Sequence, residues 1–306
     1  MSVDIARGDC TACGTCVEIC PANVFEMGDD GPIVADPDAC TSCGVCADQC
    51  PTDAITVEMA RDVAGSTGEF ETEERYREWS RTLRETLDLE RRPVAITLLE
   101  DADRVPEGVE RPDQPLRHCV SIHEASQGTT LFVPPERHAC AAGKAALGIE
   151  SLPEKVESGK VPYMHGLAGT QEAAARIMDE IPKLPAGDTA GTLVAPLANT
   201  PLDPDVVVLV ARPERAMWAS NALLYEDGGP RVSADFAGMQ ASCGDATARP
   251  IIEGEVNLSP GCYGCRSAGK LAEEEMYVGI PLDRMDDVVD GVRGLRDAMS
   301  NLREGA

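Results

Sequence analysis

Two short cysteine runs constrain this chain more than anything else in it. The first is Cys10-Thr11-Ala12-Cys13-Gly14-Thr15-Cys16-Val17-Glu18-Ile19-Cys20-Pro21. The second begins thirty residues on: Cys40-Thr41-Ser42-Cys43-Gly44-Val45-Cys46-Ala47-Asp48-Gln49-Cys50-Pro51. Each reads C-x2-C-x2-C-x3-C-P, a spacing that suits a 4Fe–4S cubane. Three thiolates separated by two residues each can wrap a cluster from one tight loop, leaving backbone N–H groups free to bond its sulfides. Pro21 and Pro51 turn the chain after each run and remove a donor where none is wanted. A zinc ribbon brings its four ligands as two pairs, and a disulfide framework has no reason to repeat a complete four-ligand run with its proline.

On these two runs, residues 1–59 resemble a two-cluster ferredoxin of the bacterial type. The resemblance implies two 4Fe–4S clusters, with the fourth cysteine of each run ligating the other cluster. Cys10, Cys13, Cys16 and Cys50 then hold one cluster, and Cys20, Cys40, Cys43 and Cys46 the other.

No apolar stretch approaches the ~18 residues of a membrane-spanning helix, and nothing at the start reads as a signal peptide. Thirteen cysteines without a secretion signal point to a reducing cytoplasm in which thiols serve metals. The formal charge of −26 comes from 53 acidic against 27 basic residues. Only five of the basic residues are lysine: Lys144, Lys155, Lys160, Lys183 and Lys270. Acidity spread along the whole chain with so little lysine suits a salt-rich cytoplasm, where screening removes the self-repulsion; in this the chain resembles haloarchaeal proteins. Nucleic acid and anionic membranes are poor partners for such a surface.

Small and polar residues over 60–69 read as a linker, leaving 70–306 as a second, larger domain. Tyr76, Trp79, Leu83 and Leu87 recur at helical spacing and predict a helix over 70–89, as core packing. Further helices are expected over 116–126, 139–147, 171–181 and 214–225. A closing helix over 285–302 carries Met285, Val288, Val289, Val292, Leu295, Met299 and Leu302 on one face. Strands are expected over 94–99, 129–133, 192–197, 206–211, 231–236 and 276–280. The 206–211 run is apolar on both faces and so belongs in the middle of a sheet. Helices and strands mix without a strict βαβ repeat, which makes the chain α+β.

Five cysteines remain: Cys119, Cys140, Cys243, Cys262 and Cys265. They sit among glycines and small residues, as in His138-Ala139-Cys140-Ala141-Ala142-Gly143-Lys144, Ser242-Cys243-Gly244-Asp245 and Gly261-Cys262-Tyr263-Gly264-Cys265-Arg266. Such surroundings suit backbone that must approach a bulky cluster closely. With these segments, Leu152-Pro153-Glu154-Lys155, Arg92-Pro93-Val94-Ala95-Ile96 and Tyr277-Val278-Gly279-Ile280-Pro281, the chain resembles an archaeal cysteine-rich family, domain of unknown function 169. The resemblance covers about 82–295 and implies domain limits but no activity.

The five thiols admit four readings. A third iron–sulfur cluster, using the C-x2-C pair with Cys140 and either Cys119 or Cys243, is favoured, because a ferredoxin must pass electrons to something nearby. A redox dithiol of Cys262 and Cys265, structural zinc with His118 or His138, and inert buried thiols are the alternatives. Gly143-Lys144 lacks the upstream glycine of a phosphate loop, and no G-x-G-x-x-G follows a predicted strand. His118 and His123, five apart, do not share a helix face. His138 is a candidate proton donor, with a polar helix-end role as the plainer reading. Arg266 is a candidate to offset cluster charge or bind a carboxylate. Asp245 could accept a bond beside a cluster, or be a plain turn residue. The expected protein is an iron–sulfur oxidoreductase. It would exchange electrons with a soluble partner protein, pass them to the second cysteine set and act there on a small-molecule substrate. A non-enzymatic electron carrier and a metal- or cofactor-maturation protein are the rivals.

Overall fold

In a computed structural model describing residues 3–40, 44–57, 73–225, 234 and 241–304, each cysteine run passes into a short helix through a glycine. Gly14 precedes the Thr15–Ile19 helix at φ 77° and Gly44 the Val45–Asp48 helix at φ 75°, in the left-handed region that a Cβ resists. Strands β1 (Val3–Ile5), β2 (Phe25–Gly28), β3 (Gly31–Val34) and β4 (Ile55–Val57) form two antiparallel pairs, β1 with β4 and β2 with β3. Val3, Ile5, Val24, Phe25 and Ile55 bury themselves around Cys16, Cys20 and Cys46. Here the metal-ligating residue types are the core, because so short a segment has little else to bury. Cys43 and the 60–69 linker lie outside the described residues.

Six strands make the second domain's sheet: β5 (Val94–Leu99), β6 (Leu131–Val133), β7 (Gly191–Pro196), β8 (Val206–Ala211), β9 (Asn257–Pro260) and β10 (Met276–Pro281). Their order is β6-β7-β5-β8-β10-β9, every pair antiparallel. Helix and sheet are therefore combined as α+β. The apolar run Val206–Ala211 lies in the interior, paired to β5 with Val94 opposite Val208 and to β10 along its full length. Its side chains alternate between two buried layers, Val207, Leu209 and Ala211 on one face and Val206, Val208 and Val210 on the other.

The first layer is helical. Tyr76, Trp79, Leu83 and Leu87 of the Glu74–Leu87 helix pack with Ala216, Ala219, Ala222 and Leu223 of Pro213–Tyr225, and with Val288, Val289 and Val292 of Met285–Glu304. Full burial of one such large side chain contributes about 1.5–3 kcal/mol. The closing helix differs from the expected stripe: Leu295 is half-buried and Met299 exposed. A helix of 20 residues spans about 30 Å, whereas the six-residue strands beneath it span about 20 Å, so its last turns outrun the sheet. The side chain of Leu302 lies outside the described residues.

The second layer carries the cysteines. The His118–Gln127, Ser242–Asp245 and Tyr263–Ser267 helices set Cys119, Val120, Ile122, Cys243 and Cys265 against Val94, Ile96, Val206, Val208 and Tyr277. Gly279 of β10 makes that approach possible: a Cβ there would lie 2.0 Å from the carbonyl oxygen of Ala246. Strand β9 was not expected from the sequence, since Asn257, Ser259 and Pro260 carry little strand preference and it sits at the sheet edge. The strand expected over 231–236 falls, apart from Ala234, outside the described residues. Among those residues no helix is long and apolar enough to cross a membrane.

Candidate metal centre

All five remaining cysteines line one cavity, although 146 residues separate the first from the last. Each stands at the start of a helix. Cys119 is the second residue of His118–Gln127 and Cys243 the second of Ser242–Asp245. Cys140 caps Ala141–Ala146, and Cys262 caps Tyr263–Ser267, which contains Cys265. First-turn N–H groups have no partner within their own helix, so they are available to sulfur. The Gly143 N–H bonds the Cys140 sulfur, and the N–H groups of Ser242 and Cys265 bond that of Cys262.

The thiols are also bonded to one another. Cys262 Sγ lies 3.4 Å from Cys265 Sγ, and Cys119 Sγ donates to the Gly264 carbonyl at 3.5 Å. Cys119, Cys243 and Cys265 pack together in one buried cluster. Interaction with Cys243 and Cys265 pulls the Cys119 thiol down to about 5, while interaction with Cys119 and Cys265 pushes Cys243 well up. Cys262 is raised by its bond to Cys265 and by burial, and Cys140 by burial, against the pull of Arg117. Beneath them Tyr277 is raised by burial and then by the neighbouring sulfurs. Thiols gathered this closely must give up their protons to take a metal, as thiolate ligands do.

The lining of this cavity, of about 120 Å³, also includes Pro21 and Val45 of the N-terminal domain. Those two residues also line a second cavity, bounded by Cys20, Cys40 and Cys46. One shared wall therefore separates the two sets of sulfurs. The contact is anchored by Ile19, which is fully buried in a core with Ala142, Ala145, Val156, Val161 and Met178.

Of the ferredoxin-type cysteines, Cys16, Cys20 and Cys46 are buried, Cys10, Cys40 and Cys50 half-buried and Cys13 exposed; Cys43 is outside the described residues. The repeat extends to their bonding. The Val24 N–H meets the Cys20 sulfur at 3.4 Å and the Ala54 N–H meets that of Cys50 at 3.3 Å, each four residues on. Soft sulfur donors with backbone N–H groups aimed at them fit iron–sulfur chemistry at both places. Among the described residues no three His, Cys, Asp or Glu side chains gather about one point as a single ion requires. That holds for Cys10, Cys13, Cys16 and Cys50 as well as for the second set.

The other candidates lie elsewhere. His138 is buried away from the cavity, with its Nε2 3.1 Å from Thr192 Oγ1, and burial lowers it to about 3, so its ring is neutral. His118 does line the cavity, with its Nε2 2.9 Å from Thr247 Oγ1, and burial lowers it to about 4. Arg266 donates to the Ala272 carbonyl and is not part of the lining, and Asp245 is buried against Arg249 at 3.5 Å. The cation that does line the cavity is Arg117. Sequence reading missed it, although it directly precedes His118-Cys119.

Residues 9–55 match a family described as 4Fe-4S dicluster domain, and residues 82–291 match one described as Uncharacterised ArCR, domain of unknown function 169. The chain is also similar to a protein of Methanocaldococcus jannaschii named uncharacterized protein MJ0308. The two are 33% identical over 222 residues, 72% of this chain and 94% of the relative. No solved structure matches.

Proposed function

Because the chain belongs to the uncharacterised ArCR family and carries an iron–sulfur electron-transfer domain ahead of it, we propose that it is an oxidoreductase with a redox centre of its own in the second domain. Cys10, Cys13, Cys16 and Cys50 hold one 4Fe–4S cluster, and Cys20, Cys40, Cys43 and Cys46 the other. The second cysteine set holds a third. Clusters of this kind, when bound, supply one-electron carriers. The observation that carries the reading is the wall of Pro21 and Val45 common to both sulfur-lined cavities. Fusion fixes by packing a distance that two separate proteins would have to find by collision.

The chain's own residues set the conditions there. Ile19 and Val45 keep water out of the contact, first-turn N–H groups stabilise charge on the sulfurs, and Arg117 in the lining offsets it. A soluble, cytoplasmic protein exchanges electrons at the N-terminal domain, where Cys13 is exposed. A small molecule is the substrate of the second. The charge of −26 argues against nucleic acid or an anionic membrane as partner.

A second reading, a redox dithiol, is favoured by the 3.4 Å separation of Cys262 and Cys265. Counting iron and acid-labile sulfide in anaerobically purified protein separates the two. About twelve irons per chain are expected, and about eight would leave the second domain without a cluster.

A further inference from the structure

The five thiols of the second set are not equivalent. Cys119, Cys243 and Cys265 pack together, and Cys262 joins them through Cys265 at 3.4 Å. Cys140 takes its bond from the Gly143 N–H rather than from a sulfur. The packing divides them the same way. Cys119, Cys243, Cys262 and Cys265 belong to the core on the sheet, above Val206, Val208 and Tyr277. Cys140 belongs to the core that holds Ile19 and Val45 of the N-terminal domain. It is also the one that caps a helix outside the layer on the sheet: the Ala141–Ala146 helix contributes Ala142 and Ala145 to the Ile19 core.

We infer that Cys119, Cys243, Cys262 and Cys265 are the four ligands of the third cluster, and that Cys140 stands outside the ligand set on the side facing the ferredoxin. The sequence favoured Cys140 with only one of Cys119 and Cys243; the bonding and the packing replace Cys140 by taking both. The assignment rests on the reading that the second domain holds a 4Fe–4S cluster. It has a simple consequence for the thirteen cysteines: twelve are ligands, and one thiol stays free in the fully loaded protein.

Iron content and thiol labelling of the full-length protein test this. C119A, C243A, C262A and C265A should each lose about a third of the iron, whereas C140A and C140S should keep all of it. Loss of iron in both Cys140 variants, or full retention in any of the other four, overturns the assignment. Iodoacetamide on the native wild type supplies a readout independent of folding in the variants. Its methylene carbon bonds to a free thiol, iodide leaves and the thiol proton passes to solvent. Modification of Cys140 alone, mapped by peptide mass, is expected. Modification at one of the other four with iron retained overturns the assignment, as does a protected Cys140 whose variants lose iron. A wild type with only about eight irons removes the third cluster itself, a different failure from a misplaced ligand.

Discussion

The Lys155 ammonium donates to the carbonyl oxygen of Cys20 at 3.3 Å, so a side chain of the second domain grips the backbone of a cysteine run in the first. The same nitrogen reaches the Val17 carbonyl at 3.3 Å and Asn23 Oδ1 at 2.7 Å. Val17 lies in the Thr15–Ile19 helix and Cys20 caps it, so these are the carbonyls that a helix leaves unpaired at its end and that attract a cation. Lys155→Met keeps the aliphatic stem and removes the three bonds. It should cost roughly 2 kcal/mol, the scale of charged hydrogen bonds shared by one donor, measured by denaturant unfolding. It should also speed hydrogen exchange in the Thr15–Ile19 helix; unchanged exchange would show that Lys155 does not hold the two domains together.

Gly279 gives a sharper test, because its Cβ position is already occupied by the Ala246 carbonyl oxygen at 2.0 Å. Gly279→Ala must push the Ser242–Asp245 helix off the sheet or bend β10. A loss of about 3 kcal/mol or more is expected in thermal unfolding, at the upper end for overpacking. Because Cys243 rides on that helix, its thiol should become accessible to alkylation in the metal-free protein. A variant as stable as the wild type, with Cys243 still protected, would rule out the close packing described above.

Much of this was legible in the sequence. Val94–Leu99 and Val206–Ala211 were found to the residue, because a buried strand writes itself as an unbroken apolar run. The glycine-flanked thiols were recognised as candidates because glycine lets backbone approach a bulky cluster closely. What stayed hidden was long-range. Nothing local in Pro21 or Val45 says that they face a second cysteine set, and Arg117 looks like any helix-flanking arginine until the fold closes around it. His138 failed to stand out as buried for the same reason: its bond to Thr192 joins positions 54 apart in the chain. Leu152-Pro153-Glu154-Lys155 marked the family, but only the packing shows that Lys155 serves the interface.

Tyr76 predicts an alkaline limb in stability. Its hydroxyl donates to Asp203 Oδ1 at 2.6 Å, and burial, followed by that bond, raises it to about 12. The unfolded tyrosine ionises near 10, so between pH 10 and about 12 the unfolded chain loses the proton first. The raised group therefore contributes stability that is complete below pH 10 and is lost as pH climbs through that window. Tyr76→Phe should flatten this part of the stability profile relative to the wild type, and cost about 1 kcal/mol at neutral pH for the missing hydrogen bond. An unchanged alkaline slope would locate the ionisation elsewhere.

Salt should stabilise the protein, and the sign of that effect decides between two views of its surface. Exposed ion pairs such as Arg212 with Glu90 at 2.9 Å are weakened by screening, so a fold that relied on them would melt earlier as salt rises. The excess of 53 acidic over 27 basic residues argues for the reverse, since repulsion among unpaired carboxylates is what screening removes. The few lysines do little to relieve it from outside. Lys144 is nearly buried and bonds Glu150 at 3.1 Å, Lys155 is held by the ferredoxin, and Lys183 caps the Asp179 carbonyl at 2.9 Å. The Debye length shrinks from about 10 Å at 0.1 M to about 3 Å at 1 M, below the spacing of most surface charges. The melting temperature is therefore expected to climb steadily from 0.1 M to about 1 M potassium chloride. A flat or falling curve in calorimetry would mean that the pairs outweigh the repulsion, and that the acidic surface answers to a cationic partner instead of the solvent.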